Sequence, residues 1–219
     1  YVPLKITTDY SLLKSTIRVD DLIAFLKTKD ISACALVDEN LYGVMEFYNK
    51  CLKNNIKPII GFEVSINNSV LYLYAKNYKG YQNLLKIHTI KTERDLNFID
   101  LEMYHNEVIV IVPFHSLPIY EEVTNSFKKV YIGYQNEYEK THALLKGENI
   151  VYVENIRSLK KEDTICLDYL KMIEEDIHVS DYTLQSYENN YYHENVSLED
   201  EKTTIAFARE ISLVIPKNE

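Results

Sequence analysis

Asp38 and Glu63 are the residues whose type and placement could do chemistry. Each lies at or near the C-terminal end of an apolar run, 33–37 for the first and a run restarting at Ile59-Ile60 for the second. Such ends are where α/β barrels collect their reactive groups. Carboxylates there can hold a divalent cation, which activates water and shields phosphoryl charge. Histidine gives no matching signal. His88, His105, His115, His142, His178 and His193 are scattered and form no H-x-H or H-x3-5-H pair. His115 follows the β-branched run 108–112, near a strand end, and a lone histidine there is expected to be satisfied locally. Nucleophilic chemistry has no support either, for there is no G-x-S-x-G elbow and no cysteine in a turn after a strand. Gly43, Gly61 and Gly80 are spaced too widely to cradle a phosphate. Cys34 and Cys166 read as core residues.

The elements that must position the two carboxylates fall within residues 31–64. The pattern is strand, turn, helix, turn, strand. Val44, Phe47, Tyr48, Cys51 and Leu52 share one helical face. Asn54-Asn55 stops that helix, and Pro58 lies just beyond it. A helical crossover of this length joins parallel strands, so the architecture is α/β. Upstream, Val2, Leu4 and Ile6 alternate as a first strand over 2–7, and a helix opens at Asp20-Asp21 with acids where its dipole favours them. Downstream, Asn67-Asn68 marks a hairpin between apolar runs, and Lys79 to Ile87 begins a helix. Residues 91–107 read as polar and irregular, with a short helix as the alternative. Further strands are expected at 108–112, 129–133 and 149–153. Helices are expected at 118–127, 137–146 (closed by Gly147) and 161–174, where Ile165, Leu167, Leu170 and Ile173 are roughly in phase. Residues 181–194 read as a tyrosine-rich loop, and a capping box at Ser197 starts a final helix that stops before Pro216. About seven strands with intervening helices predict a distorted barrel in one domain, residues 1–219.

Composition narrows the function classes. The chain has 219 residues, 46% of them hydrophobic, enough for a sizeable core. No apolar run is long enough to span a membrane, and the N-terminus lacks the pattern of a signal peptide. Three cysteines without a CxxC pair argue against a disulfide framework and for a reduced, cytoplasmic setting. A net charge of −9 disfavours a domain whose main task is gripping phosphate backbones.

Residues 36–48, LVDENLYGVMEFY, followed by 56–64, IKPIIGFEV, resemble the polymerase-and-histidinol-phosphatase (PHP) domain, in the version at the N-terminus of bacterial DNA polymerase III alpha subunits of the low-GC Gram-positive type. That family writes these stretches roughly as ALTDHGNMFGAVEFY and IKPIIGCEV, so one residue is missing from the first turn. The string AKNYKGYQNLLK, 75–86, is similar to the polymerase branch in particular. The resemblance implies a PHP-type distorted (β/α)7 barrel. Active members resemble metal-dependent phosphoesterases that hold two or three metals with His, Asp and Glu.

Aligned residue by residue, the family's metal positions are largely lost here. The first-strand His-x-His falls on Lys5 and Thr7, and a histidine found upstream in some relatives falls on Pro3. The Asp that often follows the Leu-Leu pair falls on Lys14. In the T-D-H turn Asp38 stays and the His becomes Glu39. Glu63 is kept. The late Asp and His fall on Asn155 and Arg157. Neither an ammonium nor a guanidinium ligates a metal, so Lys5 and Arg157 are expected to fill the old pocket and pair with Asp38, Glu39 and Glu63. What the resemblance then implies is a catalytically inactive, structural domain of a replicative polymerase. Its partners are the rest of the polymerase chain and a proofreading exonuclease or other replisome protein. It meets DNA only through the full-length polymerase, and it needs no cofactor of its own, Mg serving the polymerase domain. The alternatives are an active metal-dependent phosphoesterase or 3′–5′ proofreading exonuclease, and a free-standing sugar-phosphate or histidinol-phosphate phosphatase.

Overall fold

A computed structural model describes residues 1–181 and 190–217. The chain alternates helices and strands: α1 (Val19–Thr28), β1 (Ala33–Asp38), α2 (Val44–Lys53), β2 (Lys57–Ile66), β3 (Ser69–Ala75), α3 (Tyr78–Glu93), α4 (Phe98–Met103), β4 (Val108–Pro113), α5 (Tyr120–Ser126), β5 (Lys129–Tyr134), α6 (Glu137–Lys146), β6 (Ile150–Tyr152), α7 (Ile165–Glu175) and α8 (Leu198–Arg209). The strands form one six-stranded sheet in chain order. β1 and β4 are buried at every position, as strands covered on both faces must be. Among the described residues no helix is long and apolar enough to cross a membrane.

One strand runs against the others. β1 is parallel to β2, and β4, β5 and β6 are mutually parallel, but β3 is antiparallel to both of its neighbours. The cause is the Asn67-Asn68 turn. Both residues have positive φ, 50° and 60°, the backbone that a two-residue hairpin of matching twist requires and that asparagine tolerates. Because the hairpin extends β2 to Ile66, Glu63 lies within a strand rather than at its end. Register still brings it level with the site, since Asp38, the last residue of β1, pairs with Phe62.

The sheet curls and the N-terminal segment joins its two ends. Ile6 bridges to Leu36 on one side and Ile156 on the other. Ile6 N donates to Ala35 O at 3.1 Å and Val37 N to Ile6 O at 2.8 Å. Across the other seam, Thr7 N donates to Ile156 O at 3.0 Å and Ile156 N to Lys5 O at 2.9 Å. The seventh stave expected at 2–7 is thus an extended segment with a single bridge on each side rather than a regular strand. Pro3, which has no N–H to give, only accepts, from Ala35 N at 2.9 Å.

Other elements depart from the sequence pattern. Over 91–107, α3 runs on to Glu93, and the short helix that the stretch allowed is α4, on which Asn97 and Asp100 close a reciprocal capping box. The helix expected over 161–174 begins with a 3-10 turn at Lys161–Thr164. Its tighter winding shifts the phase of the succeeding helix, so α7 buries Leu167, Asp168 and Met172. Ile165, Ile173 and Cys166 are exposed, against the core position expected of Cys166. Most of the loop expected at 181–194 lies outside the described residues.

The string 75–86 has a packing role. Asn77 caps α3, accepting from Gly80 N at 3.1 Å, and Asn83 Nδ2 donates to Asn106 O at 2.8 Å. A Cβ on Gly80 would lie 2.0 Å from the backbone oxygen of Glu107. Gly80 therefore lets α3 sit directly on the turn that feeds β4. Gly80→Ala is expected to destabilise the chain by about 1–3 kcal/mol, read as a lower urea midpoint, whereas an unchanged midpoint would show that α3 can lift off that turn freely.

Candidate functional site

The mouth of the barrel is built from the seam. Lys5 lies in the N-terminal stave with its side chain buried and only 1% of its surface exposed. Its Nζ donates to Thr7 Oγ1 at 2.5 Å and to Val37 O at 2.9 Å. It stands 3.4 Å from Glu63 Oε1 and 5.2 Å from the centre of the Tyr72 ring, on β3 directly opposite Glu63. One ammonium therefore touches the stave itself, β1, β2 and β3.

Asp38 is equally buried but is held differently. Its carboxylate accepts from Thr8 N, Thr8 Oγ1 and Ser11 Oγ, each at 2.7 Å. Ser11 Oγ in turn accepts from Glu39 N at 3.0 Å. Burial raises the Asp38 carboxyl above the usual range, opposed by the Thr8 and Ser11 donors and by the Lys5 charge. The direct contacts of Asp38 are neutral donors from the turn after the first stave, because β1 ends under that turn, and Lys5 acts on it through its charge.

Glu39 and Glu63 form the third part. Their carboxyls share a hydrogen bond. Burial and the Glu63 charge raise Glu39, with Lys14 and Lys91 pulling the other way. Burial alone would raise Glu63 too. The charge and contact of Lys5, the hydrogen bond from Glu39 and the charge of Arg157 reverse that, so Glu63 is held below the usual range. The pair is thus split, Glu39 raised and Glu63 lowered.

Lys91, which the sequence did not single out, completes the mouth. It lies in the last turn of α3, donates to Glu39 O, approaches Glu63 O at 3.5 Å and stands 5.1 Å over the Phe62 ring. Lys14 instead pairs with Glu174 at 2.6 Å. Asn155 has a buried Oδ1 without a hydrogen-bond partner among the described residues. Another carboxylate was also missed: buried Glu154 accepts from the hydroxyls of Tyr1 and Tyr152. The histidines stay apart. His105 and His142 engage backbone oxygens of their own segments, His88 packs edge-on to Phe62, and His115 is exposed.

The donor set does not fit a divalent metal. Such an ion needs several convergent oxygen or imidazole donors. Here the centre is taken by an ammonium, and both Asp38 oxygens are engaged by hydroxyl and amide donors. Among the described residues no three His, Cys, Asp or Glu side chains cluster as metal ligands.

Comparisons with known proteins agree with this architecture. The family model described as PHP domain matches residues 3–158. A DNA polymerase III subunit alpha from Ureaplasma parvum is 44% identical over 87 residues, 39% of this chain and 9% of its own length. One from Halalkalibacterium halodurans is 33% identical over 124 residues, covering 52% and 11%. One from Staphylococcus aureus is 26% identical over 184 residues, covering 79% and 17%. The chain thus spans less than a fifth of the length of these relatives. Two solved structures share the fold at 7% identity and a TM-score of 0.50. They are a Chromobacterium violaceum amidohydrolase with bound sulfate and no metal, covering 72% of this chain and 87% of its own, and a two-domain Bacteroides vulgatus protein containing a predicted PHP-like metal-dependent phosphoesterase, covering 81% and 55%.

The split between Glu39 and Glu63 has a definite pH signature. Carboxyl carbon NMR is expected to show Glu39 titrating above the ordinary glutamate value of about 4.3 and Glu63 below it. The depressed Glu63 contributes stability that is present above its unfolded value and lost as pH falls through its folded one. The raised Glu39 contributes with the opposite sign, favouring the fold at low pH and losing that contribution as pH rises through its folded value. Two superimposed titrations at the ordinary value would contradict this split.

Proposed function

Because the chain belongs to the PHP domain family, we propose that it is the N-terminal PHP domain of a DNA polymerase III alpha chain and acts there as a metal-free structural module. The family match and the relatives' names support the first half of this reading. The second half is carried by one observation, the buried Lys5 ammonium in contact with Glu63, Thr7 and Val37. A phosphoesterase of this fold needs a cation that can bind and activate water. An alkylammonium cannot do so. It has no vacant coordination position, and its protons are already given to fixed oxygens.

In this reading the residues of the mouth hold the barrel shut rather than turn over a substrate. The domain supports the rest of the polymerase chain and offers a docking place for a proofreading exonuclease. DNA is held elsewhere in the full-length protein, as the net charge of −9 favours. The Mg ions of nucleotide transfer belong to that polymerase region, and the setting is the cytoplasm.

Elemental analysis of the chain, purified without chelator and dialysed, is expected to find less than about a tenth of an equivalent of Zn, Mn or Fe. In parallel, 5′-labelled single-stranded DNA is expected to stay intact when the chain is incubated with Mn2+. A stoichiometric metal together with 3′–5′ cleavage would replace this reading with that of an active proofreading nuclease.

A further inference from the structure

On the outer wall of the barrel, away from the mouth, α6 is packed the wrong way round for a surface helix. Such helices ordinarily turn an apolar stripe to the sheet and polar residues to water. α6 buries Lys140 and Ala143, and leaves Tyr138, Leu144 and Leu145 66%, 54% and 83% exposed. Charge holds Lys140 inward. Its Nζ lies 3.0 Å from Glu199 Oε1 and 3.4 Å from Asp200 Oδ1 on α8, and 5.7 Å from the centre of the Tyr134 ring. A buried lysine paired in this way fixes the rotation of the helix and points its large apolar side chains outward.

The outward face is built as a unit. Tyr138, His142 and Leu145 follow one another at four and three residues, so they form one stripe opposite Lys140 and Ala143. The Tyr138 and His142 ring centres are 4.1 Å apart, and Phe114, in the 3-10 turn after β4, stands 6.1 Å and 6.4 Å from them. His142 Nδ1 donates to Tyr138 O at 2.8 Å, which holds its ring in the stripe. Acids flank the stripe: Glu137 and Glu139 on α6, Glu148 just after it, and Glu121 on α5, which pairs with Lys146 at 3.9 Å. The chain's own tail runs elsewhere, Ser212 N donating to Lys76 O at 2.9 Å after β3 and Ile215 N to Tyr48 Oη at 3.0 Å on α2.

We infer that the Phe114, Tyr138, His142 and Leu145 face is a docking surface for a helix of another protein, one whose apolar stripe is flanked by lysine and arginine. The apolar stripe supplies the contact area and the acidic flanks select the sign of the partner. A second copy of this chain is a poor occupant, because a two-fold contact would set the acidic flanks against each other.

The test is a titration of the nitrogen-15-labelled chain with a synthetic helical peptide that carries a leucine stripe flanked by lysines. A second peptide has glutamate in place of every lysine. The lysine peptide is expected to shift the amide signals of residues 137–146 and 114–118, to bind more weakly as salt is added, and to bind far better than the glutamate peptide. The double variant Tyr138→Ser, Leu145→Ser changes exposed side chains, so its Tm should stay within about 2 °C of the natural value, while its affinity for the lysine peptide falls about tenfold. Leu145→Lys is the second variant, and its added charge should weaken the lysine peptide and not the glutamate one. Absence of binding, equal binding of the two peptides, or shifts centred away from α6 would overturn the inference. So would sedimentation showing that the natural chain self-associates through α6, which would give the face to a second copy. None of these outcomes depends on the metal content of the mouth, so the metal-free reading stands or falls separately.

Discussion

A single buried positive charge organises this molecule. An ammonium removed from water costs several kcal/mol unless its surroundings replace the lost solvation. Around Lys5 the replacement comes from Thr7, Val37, Glu63 and the face of Tyr72. These partners belong to four neighbouring staves, so satisfying the charge aligns the staves. The N-terminal segment has only one backbone bridge on each flank, and the side chain of Lys5 adds fixed contacts at the place where backbone pairing is thinnest.

The rest of the mouth reflects the presence of one tethered cation among several acids. Lys5 neutralises Glu63. Asp38 cannot share that charge by direct contact and is solvated by an amide and two hydroxyls instead. Glu39 is left beside an anion, and that charge together with burial raises its carboxyl above the usual range. Lys91 and Arg157 add positive potential from two further elements. Each solution uses a different physical device. These contacts hold the barrel mouth in one arrangement.

The local part of the fold was legible in the sequence. Residues 31–64 spelled out strand, helix and strand because apolar spacing switches from a run to a 3.6-residue period and back. Asn67-Asn68 announced the reversed β3, since two adjacent asparagines tolerate the positive φ of a tight hairpin. Lys5, Thr7, Glu39, Asn155 and Arg157 became visible only by setting the chain against the PHP pattern, because nothing in their own spacing marks them. Lys91 stayed hidden. It reaches the mouth from the far end of α3, and only the packing of that helix on the turn at Glu107 brings it there. Cys166 and Ile173 were misread because a 3-10 turn precedes α7 and shifts the face it buries. The hydroxyl and amide donors that hold Asp38 were not foreseen, since donors from a turn give no periodic signal.

The most direct measurement is nitrogen-15 NMR of the lysine side chains, with Lys5 assigned by its loss in Lys5→Met. A buried ammonium bonded to fixed oxygens should give a slowly exchanging NH3+ resonance at neutral pH, with contacts to Tyr72 ring protons, and that resonance should be unchanged by EDTA, Zn2+ or Mn2+. A Lys5 signal broadened by fast exchange with water, or one that shifts or disappears when Zn2+ is added, would contradict the account, because the cation of this site would then be exchangeable rather than tethered.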